Sequence, residues 1–131
     1  MSTSLITPVT ANQVVTCFFN FKEALEATQK EEGALKKLVE NVFGIRHPTS
    51  RNMAIVTILI HAFKISPAEV EAELYRTANI SDKMEESGAM DALEEKAYAA
   101  SRENEDLTPS EKAAIFANGV IEFMNRAQMT P

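Results

Sequence analysis

The chain of 131 residues carries 13 Lys and Arg against 19 Asp and Glu, a net charge of −6, and 45% of it is hydrophobic. A chain of this size buries about two-thirds of the surface it exposes when unfolded. It therefore reads as a single domain over residues 1–131 that needs neither a disulfide nor a metal to hold its core. One cysteine excludes an intrachain disulfide, and with two histidines it leaves almost no material for a zinc site. Four glycines and five prolines exclude collagen-like and low-complexity chains. The overall acidity argues against a protein that coats duplex DNA with its whole surface.

The charge is unevenly spread. Residues 1–66 balance at +2 and residues 67–131 at −8, so the acidity belongs to the second half. From Glu40 to Glu69 there is no intervening Asp or Glu, yet Arg46, Arg51 and Lys64 lie there with His47 and His61. An apolar stretch that excludes both signs of charge accounts for residues 54–60. It does not account for Arg46, His47 and Arg51 beside them. Such asymmetry hints at an electrostatic partner.

The first residues lack the basic start and long apolar run of a secretory signal. The most apolar run, 53–63, is interrupted by Thr57 and His61 and falls short of the ~20 residues that a membrane span requires. A cytoplasmic setting follows as the expectation, and a free Cys17 suits a reducing compartment.

The patterning is helical nearly throughout. Thr7-Pro8, Ser66-Pro67 and Thr108-Pro109 each offer a capping hydroxyl, then a proline where a missing N–H costs nothing. Glu69 and Glu111 add the third-position acid of a capping box. A first helix is expected from about residue 8 or 11 to 30, with Val14, Val15, Phe18, Phe19, Leu25 and Phe21 on a wide apolar face. A second, over 31–43, repeats Leu35, Leu38, Val39, Val42 and Phe43 at helical spacing and stops at Gly44. A third, capped by Thr49 or Ser50 and reaching about residue 64, is apolar round most of its circumference and should be the most buried. A fourth over 67–78 uses Val70, Leu74 and Tyr75. A fifth over 82–102 is acidic, with Met84, Leu93, Ala97 and Tyr98 as its inward residues, and Gly88 can split it. A last helix over 109–127 buries Ala113, Phe116, Ala117, Val120, Ile121 and Met124. The expected fold is all-α: an irregular or orthogonal bundle of five to seven helices around the apolar helix at about 50–64.

Nothing in this pattern points to catalysis. Cys17 lies among apolar neighbours and reads as a small core residue. His47 precedes a proline, and His61 on the apolar helix reads as a satisfied core histidine. Glu85-Glu86 and Glu94-Glu95 are what a solvated acidic helix shows, with no calcium loop beside them. Phosphate-binding, dinucleotide-binding and metalloprotease motifs are missing from the chain. The expectation is a non-enzyme with no catalytic residue, no metal and no cofactor.

Residues 59–74 resemble a helix-turn-helix in spacing, with Ile65 in the turn and Val70 and Leu74 anchoring the second helix. Lys64 stands where a turn glycine is common. Glu69, Glu71 and Glu73 against Arg76 would be repelled by the phosphates lining a major groove. A packed helix pair is the better account.

Two functional readings remain. In the first, the chain binds single-stranded nucleic acid in preference to duplex, as a transcription or replication accessory. Lys36, Lys37, Arg46, His47, Arg51, Asn52 and Lys64 would form its contact, with Phe19, Phe21 and Phe43 as the stacking candidates that fit the core better. In the second, the runner-up, it is a protein-interaction module (an adaptor, inhibitor or assembly factor) that meets a protein partner through the acidic helix 82–102 and apolar faces. Met84, Met90, Met124 and Met129 suit adaptable contacts as well as cores. Self-association into a homo-oligomer fits either reading.

Overall fold

The computed structural model describes residues 5–28 and 49–127. These form an all-α assembly with no strand among the described residues. Five α-helices follow one another: α1 (Ala11–Thr28), α2 (Ser50–Thr57), α3 (Tyr75–Ser87), α4 (Ala89–Glu103) and α5 (Pro109–Arg126). The expected helix over 31–43 and its stop at Gly44 lie outside the described residues.

The three Ser/Thr-Pro starts have different fates. Thr108 caps α5 as expected: its hydroxyl accepts from the Glu111 N–H at 3.2 Å, and the Glu111 carboxylate accepts from the Thr108 N–H at 3.1 Å. Thr7-Pro8 starts no helix. The box that opens α1 is Thr10 with Gln13, whose side chains and backbone N–H groups bond reciprocally at 2.8 and 3.2 Å. Ser66-Pro67 opens a 3₁₀ turn over Pro67–Glu69, without a side-chain cap, and a second follows at Glu71–Glu73. The apolar stripe there is only Val70 and Leu74, too little packing to propagate an α-helix. α3 therefore begins at Tyr75, later than the fourth helix was expected and spanning its boundary with the fifth.

Thr49 caps α2, its hydroxyl accepting from the Asn52 N–H at 3.1 Å. The helix continues without a break into a π turn over Ile58–Ala62. It ends at Lys64, whose φ of 58° is left-handed and lets the Ile65 N–H close back onto the Leu59 carbonyl at 2.9 Å. This is the geometry of a glycine C-cap widened by one residue. It gives the lysine in the turn a backbone reason to be unusual.

The α2–π segment is the wall between two cores, which explains its apolar circumference. Ala54, Ile58 and Ala62, four residues apart, pack into one core with Val14, Met84 and Met124. Val56 and Leu59 point into the other with Phe18, Phe21 and Val70. Thr57 is fully buried, and its hydroxyl donates to the Met53 carbonyl at 2.7 Å, so its burial leaves no unpaired polar atom. Of the expected inward residues, Val15, Phe19, Tyr75 and Tyr98 are exposed instead. On α1 the stripe through Val14, Phe18, Phe21 and Leu25 fills the contact, and a helix cannot bury the next positions round without a further neighbour.

Residues 5–10 run irregularly along α5, held by side-chain amides. Asn118 bonds both the N–H and the carbonyl of Val9, at 2.7 and 2.9 Å. Asn125, two turns further on, does the same for Ile6 at 2.9 and 3.0 Å. His61 adds a bond from Nε2 to the Thr7 carbonyl at 2.7 Å. A carbonyl only accepts, so Nε2 carries the hydrogen. His61 is thus a half-buried structural histidine that ties the arm to the π turn.

Candidate interaction groove

α3 and α4 meet at Gly88, whose φ of +79° turns the chain where a side chain would be strained. The acidic stretch over 82–102 is split at Gly88, the position where the sequence allows it, into two limbs. They enclose, with α2 and α5, a groove of about 500 Å³, within the ~300–1,000 Å³ range of binding pockets. Ala54, Ile58, Ile80, Met84 and Leu93 are buried beneath it. Ile55, Met90, Phe116 and Val120 are half-buried and give it an apolar lining that water still reaches. Gly119 permits this close approach of α4 to α5: a β-carbon there would overlap the Leu93 side chain.

The charges at the groove are exposed. Asp82 and Glu85, about one turn apart on α3, and Glu94 on α4 line it, against one lining cation among the described residues, Arg51. Two of the four methionines singled out for adaptable contacts, Met84 and Met90, are at this groove, and Met124 is fully buried in the core. Met129 lies outside the described residues.

Of the expected basic patch, Arg51, Asn52 and Lys64 fall on described residues. Lys36, Lys37, Arg46 and His47 lie outside the described residues, as does Phe43. Arg51 is exposed at the start of α2 and faces the acidic groove. Asn52 is half-buried in the first turn of α2, its N–H spent on the Thr49 cap. Lys64 is exposed at the far end of the α2–π segment, about 20 Å of helix away from Arg51. The structure thus brings Arg51 and Lys64 to opposite ends of one segment. Phe21 is buried and Phe19 exposed.

Two cations of the second half are engaged locally. Arg76 bonds the Glu73 carboxylate at 2.6 Å and lies 5.9 Å from the Phe63 ring centre, while Arg102 lies 5.0 Å from that of Tyr98. Both members of the Arg76–Glu73 pair are perturbed in the direction that pairing requires, with Glu73 held below the ordinary carboxylate range mainly by its hydrogen bond from Arg76. Cys17 is a half-buried free thiol, and burial pushes it above its usual value and away from the nucleophilic thiolate. Among the described residues no group of three His, Cys, Asp or Glu is placed to hold a metal ion. Nor is any helix among them long and apolar enough to cross a membrane.

The groove was half legible in the sequence. Its acids and methionines were visible in the sequence as an acidic, methionine-containing stretch. The sequence also allows the split at Gly88, but the incomplete cover of Phe116 and Val120 is not encoded in any single-helix pattern. No protein-family model, no curated protein and no solved structure matches this chain.

Proposed function

We propose that the chain is a protein-interaction module, an adaptor, inhibitor or assembly factor, that receives a partner in the groove between α2, α3, α4 and α5. The observation that carries this reading is an apolar, methionine-containing groove open to solvent and edged by three carboxylates. Phosphates would be repelled by that edge, so the same surface disfavours a nucleic acid. A cytoplasmic setting belongs to the proposal and suits the free thiol of Cys17. Contact between copies of the chain would use Val15 and Phe19, which lie one turn apart and exposed on α1.

Arg51 separates this reading from single-strand binding, because the two assign it opposite surroundings. The test follows the methionine methyl resonances while a neutral amphipathic helix of Leu and Gln, or a single-stranded oligothymidylate, is titrated in at low salt. The expected result is movement of Met84 and Met90 with the peptide, an unmoved Met124, and no response to the oligonucleotide. Oligonucleotide binding that Arg51→Glu abolishes would overturn the module reading in favour of nucleic acid. Met84 and Met90 unmoved by every such helix, neutral or charged, would overturn it outright.

A further inference from the structure

We propose that the occupant of the groove is a cationic amphipathic helix of a partner protein, its apolar face on Met90, Phe116 and Val120 and its basic flanks against Asp82, Glu85 and Glu94. The inference rests on the interaction reading above and specifies the partner's chemistry.

The form of the occupant follows from backbone accounting. The groove is walled by helices whose interior N–H and C=O groups are spent internally. An extended segment laid there would find no backbone partners for its own polar groups and would strand them on an apolar floor. A helix arrives with those groups already paired. Helix-in-groove docking then needs only apolar side chains at helical spacing on one face, which an open floor of half-buried residues accepts.

The charge of the occupant follows from the edge. The acids stand on two different elements, Asp82 and Glu85 on α3 and Glu94 on α4, so an incoming helix meets negative charge from both. A partner with acidic flanks would place like charges together as the surface loses water. A basic one is steered in and held in register. Lys and Arg also have long apolar stems that can lie along Ile55 and Ala78 at the groove while their charged ends stay in solvent. Arg51 opposes this preference locally, so reversing its charge should strengthen capture of a basic helix.

The test uses the full chain and two labelled peptides of about 18 residues, long enough for a helix to hold in water. Both carry the same leucine face, and their polar faces are all Lys or all Glu. Anisotropy should show the Lys peptide binding at least about tenfold more tightly at low salt, with the preference shrinking towards ~0.15 M salt. The Asp82→Lys/Glu85→Lys/Glu94→Lys protein should reverse the preference with its helical circular dichroism retained. The isosteric Glu85→Gln alone should weaken the Lys peptide a few-fold, and Arg51→Glu should tighten it. A Lys peptide with a central proline should lose binding. Equal binding of the Lys and Glu peptides would overturn the cationic partner while leaving the interaction module standing. Undiminished binding of the proline peptide would overturn the helical form. Failure of both peptides and of the neutral one to move Met90 would remove the module reading and this inference together.

Discussion

Asn118 supplies both hydrogen-bond partners of Val9, accepting its N–H at 2.7 Å and donating to its carbonyl at 2.9 Å. A side-chain amide thus does for the arm what a neighbouring strand does in a sheet. Asn118→Ala would leave a partly buried N–H and C=O unpaired, at a cost of about 1–3 kcal/mol in urea unfolding. Asn125→Ala, which frees Ile6, should cost a similar amount. The two together should cost less than the sum, because releasing the arm once makes the second clamp redundant. A fully additive double variant would show that the arm does not detach as a unit.

Lys64 and Gly88 both occupy left-handed backbone, and only one of them is a glycine. Gly88→Ala should lose about 1–2 kcal/mol to the β-carbon penalty, since no other atom crowds that position. Lys64→Gly should gain up to about 1 kcal/mol by relieving the same penalty, less the greater entropy of glycine in the unfolded chain. Thermal midpoints moving in opposite directions are the expected signature.

Gly119 and Leu93 bring α5 and α4 together. Gly119→Ala gains up to about 1 kcal/mol in helix propensity but overpacks against Leu93, which typically costs about 1–3 kcal/mol. The net expectation is a loss, measured by chemical denaturation. Adding Leu93→Ala should then cost less than Leu93→Ala does in the parent, because the new methyl fills part of the space it opens.

The Thr108–Glu111 box makes stability depend on pH. The Thr108 backbone N–H, then its hydroxyl, hold the Glu111 carboxyl below its ordinary value. A carboxylate with a depressed folded pKa stabilises the fold above its unfolded pKa, and the contribution disappears as the pH falls through the folded one. Glu111→Gln keeps an acceptor for the cap but removes the titration. The parent should exceed this variant in stability near neutrality, and the difference should vanish on acidification below the ordinary glutamate range. Thr108→Ala should cost about 0.5–2 kcal/mol, whereas Ser66→Ala, where no side-chain cap forms, should stay within about 0.5 kcal/mol.

The class of fold was legible because helical spacing persists through each long segment. Residues 50–64 and 109–127 match their helices within a residue or two, since each has a capping hydroxyl and a continuous apolar stripe. Thr7-Pro8 misled because a capping hydroxyl and a proline are necessary signals and not sufficient ones. The chain there instead clamps Ile6 and Val9 to α5 through Asn125 and Asn118, with Val9 buried. Val15, Phe19, Tyr75 and Tyr98 show the same limit, since apolar character alone does not say how many neighbours a helix has. The groove required the most tertiary information, because its edge joins residues from either side of Gly88 and its floor also draws on α2 and α5.

The segment from Ser50 to Ala62 gives one side to each of the two cores. Neither core can come apart without baring half of that shared element, and Met53 and Phe63 touch both. The energetic result is cooperativity: a cavity cut at Val56 or Leu59 should weaken amide protection around Met84 and Met124 as well as around Phe18. The described helices should melt in one transition even though their apolar contacts fall into two groups.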